Sequence, residues 1–125
     1  MSYTLNWSQN GVEISFKDEI DYYEIFKAHN EIYGNSKFDD LRYIIINLMK
    51  VDNIKISQNQ ILMITSVDKG ASRWNNQIKL SFVIKESETA IKLRVTDYLD
   101  NMKDSIWNIK MFNSLKHSLE WSKVN

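Results

Sequence analysis

Tyr3-Thr4-Leu5-Asn6-Trp7-Ser8-Gln9-Asn10-Gly11-Val12-Glu13-Ile14-Ser15-Phe16 opens the chain with apolar and polar residues alternating on both sides of Asn10-Gly11. Successive side chains of a strand point to opposite faces, so Tyr3, Leu5 and Trp7 share one face, as do Val12, Ile14 and Phe16. Asn-Gly accepts the positive φ values of a type I′ turn, which makes the two runs an antiparallel hairpin. Everything after the hairpin alternates between helical and strand patterns, and that order sets the fold class.

Asp18 reads as the cap of a first helix whose apolar positions Tyr22, Ile25, Phe26, His29, Ile32 and Tyr33 follow helical spacing, with Gly34-Asn35 as its stop. Arg42 to Leu48 is β-branched and apolar at nearly every position, as a strand buried on both faces requires, and reads as the centre of the sheet. Ser57-Gln58-Asn59-Gln60 has capping-box spacing and opens a second helix that turns Ile61, Ile64, Val67, Ala71 and Trp74 toward the core. Ile78, Leu80, Phe82 and Ile84 alternate with polar residues as another strand, and Ser87 with its flanking glutamates opens a third helix through Ile91, Val95, Leu99 and Met102. Trp107, Ile109 and Met111 form the last strand, and Asn113 caps a terminal helix carrying Leu115 and Leu119.

The expected fold is α/β, in the order β-β-α-β-α-β-α-β-α. It has a mixed five-stranded sheet, an antiparallel N-terminal hairpin and four helices. Strands joined across helices of this length lie parallel through right-handed crossovers. Helices should cover at least one face, while the alternation in the hairpin and in Ile78 to Ile84 leaves the other partly wet. With no repeat or linker in sight, residues 1–125 read as a single domain.

Composition narrows the functions. The 16 basic and 16 acidic residues cancel and no block of like charge occurs, so the electrostatic footprint of a nucleic-acid binder is missing. The lack of cysteine removes disulfides, thiolate nucleophiles and Cys-type metal sites, and two histidines without HxH or HExxH spacing give no basis for a transition-metal site. The first residues lack the basic and apolar regions of a secretory signal, and the longest apolar run, Tyr43 to Met49, is too short to cross a bilayer. The expectation is a soluble cytoplasmic protein without a transmembrane segment. No cofactor is implied, since the three glycines form no phosphate loop, dinucleotide fingerprint or nucleophile elbow.

The element order, with Lys37-Phe38-Asp39-Asp40-Leu41-Arg42-Tyr43 leading into the central strand and Asp68-Lys69-Gly70-Ala71-Ser72 on the second helix, resembles the SpoIIAA-like branch of the STAS fold over nearly the whole chain. The resemblance implies a bacterial regulatory or binding protein, with a mixed sheet and helices on one side of it. In the anti-sigma-factor antagonists of this family, a serine at the entry to the second helix is phosphorylated within an Asp-x-Ser-Gly-like turn. Here Asp52 is followed by Asn53-Ile54-Lys55-Ile56-Ser57, so that motif is absent as such. Other relatives merge with Sec14-like domains that hold apolar ligands, and the longer connection here looks more like theirs.

Ser57 is the candidate phospho-acceptor, because a phosphate at a helix N-terminus meets unpaired N–H groups and the positive end of the dipole. An ordinary N-cap accounts for the same residue. Gly70, with Ala71 and Ser72 beside it and Trp74 one turn on, can open an apolar groove on the second helix, or else serve close helix–sheet packing. His29 lies on the apolar stripe of the first helix, either lining a ligand site or sitting as a satisfied boundary histidine, with no nucleophile or acid partner fixed by spacing. Asp39 and Asp40 are neighbours in an extended segment and point apart, which suits turn, capping or salt-bridge roles. The reading that follows is a non-enzymatic binding module, holding an apolar small molecule or a protein partner near the second helix by way of Gly70, Ser72, Trp74 and His29. The alternative is a phosphorylation-controlled regulator of the anti-sigma-factor-antagonist type acting through Ser57. A homodimer through the wet sheet face or the Tyr22-Tyr23 pair stays open.

Overall fold

The computed structural model describes residues 3–124. Among them run β1 (Tyr3–Ser8), β2 (Gly11–Asp21), α1 (Tyr22–Tyr33), a 3-10 turn (Ser36–Asp40), β3 (Tyr43–Lys55), α2 (Gln58–Trp74), β4 (Lys79–Val83), α3 (Thr89–Asn101), β5 (Asn108–Phe112) and α4 (Leu115–Lys123). All five strands join one sheet in sequence order, antiparallel at β1–β2 and parallel from there on. Because the order never reverses, crossovers of one hand place α1, α2 and α3 on the same face. No helix among the described residues is long and apolar enough to cross a membrane.

The hairpin forms, but not through the expected turn. Ser8 pairs with Gly11, which makes Gln9 and Asn10 the central residues, and only Asn10 has a positive φ, of 66°. That excludes type I′, which needs two positive φ values. Gly11 serves β3 instead. It lies level with Tyr43, and a Cβ at this glycine would sit 2.0 Å from Cζ of the tyrosine ring.

Asp18 does not cap α1. It sits inside β2 with φ of 60°, and Asp21 is the cap, accepting the Glu24 backbone N–H at 3.0 Å. β3 likewise runs on past Leu48 to Lys55. The β2–β3 ladder shifts register between Ser15 and Lys17 and again between Asp18 and Glu19, each time giving β3 one extra residue. These bulges bend and twist the pair. Among the described residues β1 reaches no further than Phe16 and β4 no further than Asn47, so from Lys17 and Lys50 onward β2 and β3 continue as a two-stranded ribbon without other described sheet neighbours.

Ile14, Ile44, Ile46, Leu80 and Phe82 meet Ile61, Ile64, Ile91 and Val95 in the main core beneath α1 to α3. The resemblance implied helices on one side of the sheet. α4 corrects this, covering Tyr43, Ile45 and Val83 from the opposite face with Leu115 and Leu119. Ser81, expected on a wet face, is fully buried there, its hydroxyl 2.6 Å from that of Ser118 on α4. One hydroxyl donates to the other, so neither oxygen is buried without a partner.

The capping box of α2 is present in both directions. The Gln60 N–H donates to Ser57 Oγ at 3.1 Å, and the Ser57 N–H donates to Gln60 Oε1 at 3.0 Å. At the far end, Trp74 does not turn toward the core. It is 74% exposed and donates its indole N–H to Asp39 at 2.7 Å. Two other caps differ from expectation. Glu88, not Ser87, precedes α3 and makes no side-chain cap bond, and Ser114, not Asn113, caps α4 by accepting the His117 N–H at 3.3 Å. Trp107 lies just before β5, buried, donating its indole N–H to the Asn75 carbonyl at 2.7 Å.

Candidate functional site: an apolar cleft beside a buried acid

The ribbon of β2 and β3 leaves a gap between itself and the helices. Ile20 of β2, Ile54 of β3 and Ile56 form one wall, and Ile61 and Ile64 of α2 with Val95 of α3 form the other. The resulting cleft has a volume of about 70 Å³ and an almost wholly apolar surface. That is room for on the order of five water molecules, or for an alkyl segment of similar bulk. It lies at the carboxyl ends of the parallel strands, where open α/β sheets place their ligands.

His29, Tyr98 and Arg94 are the residues of the lining that carry polar side-chain atoms. The first two use theirs on Asp68, a fully buried carboxylate in the middle of α2. Tyr33 of α1 donates its hydroxyl to one carboxylate oxygen at 2.5 Å, and Tyr98 of α3 donates to the other at 2.6 Å. His29 Nε2 stands 3.5 Å from that second oxygen, while Nδ1 is 2.7 Å from the Ile25 carbonyl and donates to it. Asp68 thus ties α1 and α3 to α2.

The electrostatics follow from this arrangement. Burial pulls the His29 pKa down, but the charge and hydrogen bonding of Asp68, with the Ile25 carbonyl, outweigh it and the net shift is upward. Burial, reinforced by the Asp68 charge, pushes both the Tyr33 and Tyr98 hydroxyls well above the ordinary tyrosine range. The two tyrosines therefore remain donors at any ordinary pH, which is what a buried carboxylate needs.

Of the residues singled out from sequence, the structure brings His29 alone to the cleft. Gly70 is exposed, with open space where a Cβ would stand, and Trp74 is on the outer side of α2. Ser72 is buried, its hydroxyl donating to the Lys69 carbonyl at 2.7 Å. Ser57 is exposed at the start of α2. Asp68 went unmarked as a site residue, although Ile61, Ile64, Asp68 and Ser72 form one stripe at helical spacing with Asp68 at its centre. No three His, Asp or Glu side chains converge as a metal site would require among the described residues.

No protein-family model matches the sequence, and no curated protein matches it. Solved structures do match the fold. The anti-sigma factor antagonist SpoIIAA in its unphosphorylated form superposes with a TM-score of 0.61 at 11% identity, covering 94% of each chain. The phosphorylated form of SpoIIAA, a Bacillus cell-fate determinant, gives 0.58 at 14% identity over 97% of this chain and 99% of its own. An uncharacterized protein of the DUF3478 family from Shewanella loihica PV-4, described as having a SpoIIAA-like fold, gives 0.56 at 10% identity over 95% and 90%. The chain therefore has the SpoIIAA-like fold of the STAS class.

Proposed function

We propose that the chain is a small cytoplasmic binding module that holds an apolar small molecule in the cleft beside the first turns of α2, without catalysing a reaction. The observation that carries this reading is the cleft itself, apolar and placed at the carboxyl ends of the parallel strands. Against catalysis stands the engagement of His29, the one imidazole at the cleft, whose two ring nitrogens face Asp68 and the Ile25 carbonyl. A general base needs a free lone pair within reach of its substrate, and this ring offers none.

Intact mass of gently purified protein, taken under native and denaturing conditions, tests the reading. A small-molecule increment present in the native spectrum and lost on denaturation is the expected result. The bare polypeptide mass in both, together with no uptake of added apolar compounds, would remove it.

One observation favours a second reading, a phosphorylation-controlled regulator that acts through a protein partner. Ser57 is exposed at the N-terminus of α2, and two of the similar structures are of SpoIIAA, an anti-sigma factor antagonist seen in phosphorylated and unphosphorylated forms. A phosphate there would meet the free N–H groups of the first turn. A phosphate-sized increment that survives denaturation and maps to Ser57 would support this reading. Unchanged partner affinity in Ser57→Asp would remove its basis.

A further inference from the structure

Arg94 is the member of the cleft lining whose polar atoms are not already spoken for. It projects from α3, half-buried, and its side chain makes no hydrogen bond or ion pair among the described residues. The other lining side chains that carry polar atoms, His29 and Tyr98, are committed to Asp68 and to the Ile25 carbonyl. An arginine beside an apolar surface lays its stem along that surface and keeps its head in water. The guanidinium holds its charge at any ordinary pH and presents five donors in a planar fork that matches an oxyanion. The cleft thus combines a dry, narrow slot, of the bulk of a short alkyl segment, with one unpartnered cation on its lining.

We infer that the cleft takes a free single-chain anionic amphiphile, a carboxylate such as a medium-chain fatty acid, with the alkyl chain against Ile20, Ile54, Ile61 and Ile64 and the headgroup on Arg94. The inference rests on the cleft being the binding site and adds the class of its ligand. Each end of the molecule has a separate source of affinity. The chain leaves water for an apolar wall, and the headgroup makes charge-assisted hydrogen bonds, stronger than those between neutral groups. An uncharged alcohol of the same length keeps the first and loses most of the second, and an alkylammonium meets repulsion at Arg94.

The experiment compares octanoate, 1-octanol and octylammonium as probes by calorimetry or NMR titration. It uses the full chain and its Arg94→Gln, Arg94→Lys and Ile56→Trp variants. Arg94 and Ile56 are not fully buried, so these substitutions leave the core intact. The expected result is octanoate bound at least about tenfold more tightly than octanol, as a charge-assisted contact warrants. Octylammonium should be weakest. That preference should fall to about twofold or less in Arg94→Gln, survive in part in Arg94→Lys, and all binding should weaken when Ile56→Trp fills the slot. Octanol and octanoate binding equally, and weakening together in Ile56→Trp, would overturn the headgroup assignment while leaving the cleft as the binding site. Failure of every probe would overturn both. Attachment to phosphatidylglycerol vesicles without uptake of octanoate would overturn the free amphiphile in favour of a membrane surface.

Discussion

The two ends of β2 and β3 are the same pair of strands under different cover. Between Val12 and Phe16, and between Tyr43 and Asn47, they have β1 and β4 as neighbours, and α1 to α3 lie over the main core face. Val12, Ile14 and Ile45 are there fully enclosed. From Lys17 to Asp21 and from Lys50 to Lys55 no described residue flanks the pair as a strand, most side chains are exposed, and only Ile20 and Val51 stay buried while Ile54 is half-buried. The covered half carries the stability, and the uncovered half carries the cleft. A cleft arises here because the layered structure stops before its two longest strands do.

Exchanging one isoleucine for alanine in each half gives the sharpest break in that comparison. Ile14→Ala removes an enclosed side chain and should cost about 4 kcal/mol, in the upper part of the range for such truncations. Ile54→Ala, at the half-buried wall of the cleft, should cost roughly 1 kcal/mol because water can occupy what is lost. Urea denaturation of both variants measures this, and equal costs would refute the division.

Next in size is Asp68→Asn, which strips the charge from the clasp joining α1, α2 and α3. About 3 kcal/mol should be lost, the lower end for a broken buried ion pair, because His29 can shed its proton in response. A variant as stable as the parent would show that Asp68 does not hold the helices. Gly11→Ala should cost on the order of 2 kcal/mol by driving a methyl group into the Tyr43 ring, an overpacking effect inside the covered half. The combination Gly11→Ala with Tyr43→Ala should recover part of it, and lack of recovery would place the glycine's importance in the turn after all.

The gentlest perturbation changes no residue. His29 has its pKa raised in the folded state, so its pairing with Asp68 contributes fully below the unfolded value of 6.5 and is lost as pH rises through the higher folded value. Stability should therefore decline as pH climbs above that unfolded value, and the decline should be absent in His29→Gln. A slope that persists in the variant would assign the titration elsewhere.

The covered half was legible from sequence and the ribbon was not, for a physical reason. In Tyr3 to Phe16 and Tyr43 to Leu48 the side-chain pattern keeps strand alternation or unbroken apolar content, so their pairing could be anticipated. Beyond Leu48 the core-facing residues are Val51 and Ile54, each three positions after the last, because a bulge inserts one residue before each of them. That spacing resembles neither a regular strand nor a helix, and it reads as loop. Asp18, the one residue of β2 with a positive φ, looked like a helix cap for the same reason. At the site, His29 could be placed on the apolar stripe of α1. Its partners could not, since Tyr33, Asp68 and Tyr98 come from three helices and only the assembled fold sets them side by side.

The two bulges also give the outer part of β3 a parity. Val51 and Ile54 face the core three positions apart because the second bulge absorbs one residue between them, and regular alternation after it keeps Lys55 in water. Loop length is among the most freely varied properties of a protein surface, yet here it would act like a reading frame. Removing Asn53 alone would absorb the second bulge and leave Val51, Ile54 and Ile56 in regular alternation, with the isoleucines still inward and Lys55 outward. Removing Asp52 and Asn53 together would place Ile54 directly after Val51 and turn the cleft wall inside out, with Lys55 inward and the isoleucines outward. The double deletion should therefore lose octanoate binding and soluble yield far more severely than the single one, and equal losses in the two would show that no such frame exists.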